Sequence, residues 1–182
     1  MPWPERVLSA VLQAPTTDIE VHVAHVPPGV SHGWTKIRTF EGIYARLAVE
    51  CAIPRILCGD FNSPQLEAAP GQTITWGQEI VDGRGVCWGR WRGGTGEEWD
   101  RGERSVLVDL AQCDLPDVFR ALHGFGAEEF SWYVNRKGSR IGRRFDHVFA
   151  SRRLRPLACS YIHSIREAGL SDHSPVEADF EA

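Results

Sequence analysis

A mixed α+β chain folded as one unit is predicted for this sequence, and three observations predict it. Ile19, Val21 and Val23 alternate with Glu20 and His22, the period of a strand with one buried face. Over residues 34–51 the period lengthens: Ile37, Phe40, Ile43, Tyr44, Leu47 and Ala48 fall on one helical face. Strand-like runs then return at about 131–134, 144–150, 156–163 and 175–180. The chain has 182 residues with no internal repeat or linker, so 1–182 is taken as a single domain. A chain of that length buries about 70% of its unfolded surface and folds without a metal or disulfide staple.

In chain order, Val7–Leu12 and Ile19–Val26 read as strands joined by a turn at Pro15–Asp18, and Pro27-Pro28-Gly29 stops the second. The helix of 34–51 carries Lys36, Arg38, Glu41 and Arg46 around its apolar stripe, and Pro54 closes the segment. Arg55–Cys58 is a short buried strand leading into Gly59-Asp60-Phe61-Asn62. Residues 71–104 are rich in glycine and charge and hold four of the seven tryptophans, so an extended loop with short strands is expected. Its Cys87–Arg92 stretch, CWGRWR, reads either as a tryptophan-packed Ω-loop or as a surface on which bases stack. Short helices are expected at Ser105–Gln112 and Pro116–His123, the second ended by Gly124.

Composition excludes collagen-like and disordered classes: 42% of residues are hydrophobic and 24% charged. No apolar run approaches the roughly 18 residues of a membrane span, and Met1–Glu5 lacks the features of a secretory leader. The five cysteines show no CxxC or other paired spacing, which fits free thiols and a cytoplasmic setting. Charge is segregated. Residues 136–155 hold eight Lys/Arg against the single acid Asp146, a local +7 in a chain of net −4, leaving −11 elsewhere. Such a stretch steers an anionic ligand to one face, or is simply a solvated hairpin.

Chemistry-bearing residues sit in four segments just after expected strands: HVPPG (25–29), GDFN (59–62), RFDH (144–147) and SDHSP (171–175). Asp60 and Asn62, two apart in extended backbone, share a face and can address one reacting centre; an Asx-turn is the competing reading. Asp172-His173 places a hard oxygen ligand beside an imidazole, and an N-cap beside a surface histidine is the alternative. Asp146 lies among apolar strand residues, so it needs a partner, and an imidazole would serve. His22 and His25 face opposite sides of one strand, so one of them is structural.

The ordered set HVPPG, GDFN, SW…RRFDHVFAS and SDHSPV resembles the endonuclease/exonuclease/phosphatase superfamily over most of the chain from about residue 7. The resemblance implies a deoxyribonuclease I-like four-layer αββα sandwich, two packed sheets with outer helices. It implies divalent-metal-dependent phosphodiester hydrolysis, with Mg²⁺ or Mn²⁺ held by Asp172 together with Asp60 and Asn62. His173 would contact the scissile phosphate, Asp146 would orient it, Asp60 would handle the attacking water, and His25 and Asn62 would meet phosphate oxygens. Trp132, Arg140, Arg143 and Arg144 would line the substrate groove. The implied substrate is nucleic acid, as for exonucleases or apurinic endonucleases; a small-molecule or lipid-headgroup phosphatase and a catalytically impaired binding remnant are the alternatives. The family's early Asn strand and its Gln-Glu strand, whose Glu is a metal ligand, do not precede His25, and Gln78-Glu79 comes after GDFN. An N-terminally trimmed sandwich is therefore expected, with an exposed sheet edge able to pair with a second copy as a homodimer.

Overall fold

The computed structural model describes residues 6–181; Met1–Glu5, read above for a leader, lie outside the described residues. The chain runs β1 (Val7–Leu12), β2 (Ile19–His25), α1 (Gly29–His32), α2 (Thr35–Leu47) and β3 (Arg55–Asp60). Four short strands follow as two hairpins: β4 (Leu66–Ala68) with β5 (Gln72–Ile74), and β6 (Gln78–Val81) with β7 (Arg84–Cys87). Then come α3 (Gly96–Leu107), a 3₁₀ turn at Asp109–Cys113 and α4 (Val118–His123). The hairpin β8 (Trp132–Arg136)–β9 (Ser139–Arg143), β10 (Asp146–Ala150), β11 (Arg155–Tyr161), α5 (His163–Glu167) and β12 (Val176–Glu181) complete it.

The central sheet has the order β1-β2-β3-β10. β1 and β2 are antiparallel, the α1–α2 crossover makes β3 parallel to β2, and β10 runs antiparallel to β3. One face buries Ala24, Val26, Leu57 and Phe149 against Phe40, Ile43 and Leu47 of α2, Val106 of α3 and Leu110 of the 3₁₀ turn. The other buries Val148 and Ala150 against Phe119 of α4 and Cys159 and Tyr161 of β11, with Val176, Ala178 and Phe180 of β12 packed alongside. Apolar burial on both faces is the main stabilising term.

Mixed helices and sheets are thus as expected. The second sheet is the β11–β12 pair alone, and its outward Ser160, Glu177, Asp179 and Glu181 are exposed. The layers are helices, a four-stranded sheet, and β11–β12 with α4. β1 ends the sheet, with Leu8, Val11 and Leu12 exposed, so the expected edge is present. Among the described residues no helix is long and apolar enough to cross a membrane.

The expected 71–104 loop is corrected at its end, where α3 begins. Thr95 caps it: its hydroxyl accepts from the Glu98 N–H, and the Glu98 carboxylate accepts from the Thr95 N–H. This capping box overrides the surrounding glycines. The helix expected at 105–112 is instead the last turn of α3 followed by the 3₁₀ turn.

Arg144, expected in the substrate groove, is buried instead. It donates Nε and Nη2 to the two oxygens of Glu67 (both 2.7 Å) and Nη2 also to Asp117 (2.9 Å). Arg120 donates to Glu67 as well, and His147 bridges Asp117 Oδ2 (3.0 Å) and the Ser63 carbonyl (2.9 Å). A guanidinium with both flanks occupied by carboxylates has no face left for a phosphate. Burial alone would raise both acids, but the Arg144 charge prevails, holding Glu67 at about 2 and Asp117 well below the usual carboxylate range.

The sign follows from linkage. A carboxyl depressed by folding stabilises the native state above its unfolded value of 4.5 and loses that contribution as pH falls toward 2. For Glu67 this amounts to on the order of 3 kcal/mol. Urea midpoints measured from pH 6 to pH 2 should therefore decline steeply below about pH 4.5. Glu67→Gln should lower stability at pH 7 by about 3–5 kcal/mol and flatten that decline; an unchanged acid slope would contradict the network's role.

Candidate functional site

Register assembles the site. β3 is parallel to β2 with His25 opposite Asp60, and antiparallel to β10 with Asp146 opposite Asp60. Three residues far apart in the chain therefore form one row at the ends of three adjacent strands. His173 joins from the 171–174 turn, which is fixed by a Ser174 N–H bond to the Ser131 carbonyl (2.8 Å) and a bridge between Trp132 and His173. Ligand atoms of Asp60, Asp146 and His173 all lie within 4.8 Å of one another.

His173 Nδ1 donates to Asp146 Oδ2 at 2.7 Å, the imidazole pairing that the apolar surroundings of Asp146 predict. Asp146 is itself held: Ser131 Oγ accepts from the Phe145 and Asp146 amides (2.9 and 3.2 Å), and the Tyr161 hydroxyl donates to the Asp146 carbonyl. Burial by itself would lower the His173 pKa, but its hydrogen bond to Asp146 and the charges of Asp146, Asp60 and Asp172 raise it. These contacts favour the protonated form of the ring.

Asp60 is the half-buried middle of the row. Burial raises its carboxyl, the Asn62 amide pulls it back, and the Asp146 charge raises it further. Asn62 N–H donates to Asp60 Oδ1 (2.7 Å), and Asn62 Nδ2 donates to Asp60 Oδ2 (2.9 Å) and to the Val26 carbonyl (3.0 Å). The Asx-turn and the shared functional centre are therefore one structure. Asn62 adopts φ +50°, a left-handed conformation that asparagine tolerates better than most residues.

Two residues that support this turn were missed in the sequence. Lys36, expected around the solvent side of its helix, is 1% exposed and donates Nζ to the Asn62 carbonyl (2.7 Å). It pairs with the fully buried Glu103 (3.0 Å), which also accepts from Trp99 Nε1 (2.7 Å) and the Trp76 amide (3.0 Å). Trp76 Nε1 donates to the same Asn62 carbonyl (3.0 Å). Desolvation lowers the Lys36 pKa, and Glu103 opposes it. The available signal was Glu103 lying one turn after Trp99, on the apolar face of α3.

Asp60, Asn62, His173, Lys36 and Trp76 line a cleft of about 950 Å³. His25 stands in it with its side chain 61% exposed and Nε2 3.8 Å from Asp60 Oδ2, whereas His22 is buried, with Nδ1 2.7 Å from Ser9 Oγ. The opposite facing of the two histidines is as the strand period requires. Asp172 is exposed on the wall of the same cleft, outside the tight Asp60–Asp146–His173 group. Trp132 and Arg143, opposite each other across β8–β9, line the cleft too. Arg140 does not. Three residues from Arg143, it falls on the other face of the pleat, its guanidinium 3.9 Å from the Tyr133 ring centre. Its expected groove role is corrected on that ground, as is that of Arg144.

No protein-family model and no curated protein matches this chain. Solved structures do. The AP endonuclease LMAP from Leishmania major is similar with a TM-score of 0.62 and 16% identity, covering 95% of this chain and 54% of that one. D. rerio TDP2 complexed with single strand DNA product is similar at 0.60 and 12%, covering 97% and 61%. An endonuclease/exonuclease/phosphatase family protein from Leptotrichia buccalis C-1013-b is similar at 0.53 and 17%, covering 97% and 54%. The chain spans 54–61% of the length of these structures and has the fold of the endonuclease/exonuclease/phosphatase superfamily, as the motifs imply.

The buried Lys36–Glu103 pair yields a test. Lys36→Met leaves Glu103 unpaired under the Asn62 turn and should cost about 3–5 kcal/mol in urea denaturation. The double variant Lys36→Met/Glu103→Leu should recover much of that loss. Equal losses in the single and double variants would contradict the pairing.

Proposed function

We propose that this cleft hydrolyses phosphodiesters, with nucleic acid as the substrate. The observation that carries the reading is the His25–Asp60–Asp146 row, closed by His173 on Asp146. Asp60 accepts a proton from the attacking water as the water oxygen bonds phosphorus and the bond to the leaving oxygen breaks, the leaving oxygen taking up a proton from solvent. His173, held by Asp146, hydrogen-bonds the phosphoryl oxygens on which charge builds, and His25 faces the same oxygens, while the Asn62 N–H groups hold Asp60 in place. Arg143 and Trp132 hold the adjoining part of the substrate.

A hard divalent cation, Mg²⁺ or Mn²⁺, fits the donor set: Asp60 and Asp146 face each other in register with unbalanced charge, and Asn62 and Asp172 share the cleft. Asp172, Asp60 and Asn62 would hold it. Bound there, it would polarise the phosphate and ease ionisation of water. His173 Nδ1 is occupied by Asp146, which leaves Nε2 to address the substrate, as a donor when the ring is protonated.

Cleavage of a single-stranded DNA oligonucleotide with Mg²⁺ or Mn²⁺ should occur, stop with chelator, and fall by about 10²–10⁴-fold in Asp146→Asn and in His173→Ala. Binding of DNA without turnover would instead mark a non-catalytic module, and cleavage by both variants at the rate of the unsubstituted chain would remove the row from the chemistry.

A further inference from the structure

Hydrolysis uses one end of the cleft. Another part of its wall comes from the loop between β7 and α3, which brings Trp88, Trp91 and Arg92, and from Arg136 at the end of β8. Trp88 and Trp91 lie nearly parallel, with ring centres 5.5 Å apart and planes at 9°. The Arg92 guanidinium sits 5.1 Å from the Trp91 ring centre. The loop is pinned in place: Trp34 Nε1 donates to the Arg92 carbonyl (2.7 Å), Trp91 and Gly94 exchange backbone bonds (2.8 and 2.9 Å), and the buried Trp99 meets Trp91 edge-on.

Two physical facts make this wall unusual. Half-buried indole rings border an open cleft, so their contact surface is set before any ligand arrives. Beside them, Arg92, Arg136 and Arg143 have no ion-pair partner among the described residues, although the chain is acidic overall. Flat aromatic surface next to unneutralised guanidinium suits a ligand that is planar and anionic at once. Sugar and inositol phosphates offer the charge without a flat aromatic face.

We propose that this wall is a nucleobase subsite, so that the substrate is single-stranded nucleic acid: the scissile phosphate lies at the Asp60–Asp146–His173 row, a neighbouring base stacks on the Trp88/Trp91 pair, and Arg92 and Arg136 meet the next phosphate. The inference rests on the proposed phosphodiester site for its orientation. A paired base hides its faces inside the duplex stack, so a stacking wall of this kind selects unpaired bases. A volume of about 950 Å³ accommodates one or two nucleotides rather than a mononuclear headgroup alone.

The test separates base from charge. With chelator present to prevent turnover, an octathymidylate and an abasic oligomer of equal length and charge are titrated against the intact chain at fixed salt. The octathymidylate should bind about tenfold tighter, equivalent to about 1.4 kcal/mol. Trp88→Leu should reduce that preference to within about twofold. Arg92→Gln, at an exposed side chain whose backbone anchor is retained, should weaken both ligands about threefold or more and covers the case in which Trp88→Leu fails to fold. Equal affinity for the two oligomers, or an undiminished preference in a folded Trp88→Leu together with unchanged binding in Arg92→Gln, overturns the subsite. Preference without cleavage under any divalent ion supports the subsite and defeats the hydrolysis reading; cleavage without preference does the reverse.

Discussion

The register of β3 with its two neighbours is the constraint on which the rest depends. Asp60 faces His25 on one side and Asp146 on the other because the pairings are fixed along six residues of β2 and five of β10. A slip of one residue would turn Leu57 out of the core and swing Asp60 to the opposite face. Apolar packing around Leu57, Val148 and Phe149 thereby selects the alignment that opposes two carboxylates. The row sets like charges against each other, and core burial elsewhere offsets that cost. Residues whose local arrangement is unfavourable are expected at functional positions.

Two buried charge networks brace this row. Lys36 and Glu103 support the left-handed Asn62 turn through its carbonyl. The Arg144–Glu67–Asp117 cluster, through His147, reaches the Ser63 carbonyl one residue further on. The segment 62–63 is thus gripped at consecutive carbonyls by side chains from α2 and β10. Such clusters stabilise little when compared with apolar replacements, and their value here is the fixed position of the turn.

Much of this was legible beforehand, and the failures are instructive. The motif segments announced the site because each combines a strand end with titratable residues, and His25, Asp60, Asn62, Asp172 and His173 do share one cleft. What the sequence hid was direction. Arg140, Arg143 and Arg144 form one basic run, yet the first lies over Tyr133, the second lines the cleft and the third is buried among acids. Pleat parity separates the first two, but the third is decided by Glu67 and Asp117, remote in sequence. Lys36 was assigned to water because lysine usually is, and only Glu103, from a helix masked by neighbouring glycines, makes its burial tolerable. The capping residues Thr95 and Glu98 were the legible clue to that helix.

The two margins of the central sheet are treated differently. β10 is sealed by the 116–117 segment, through the Ala150 N–H to the Pro116 carbonyl and a bridge from Asp117 to Phe149. β1 has no such cover among the described residues, and it presents Leu8, Val11 and Leu12 to water. Unpaired backbone groups beside three apolar side chains make that margin the place where another strand could add, a local hazard that average charge does not report. A lysine installed at Val11 would act as a gatekeeper there, far from the cleft and its chemistry.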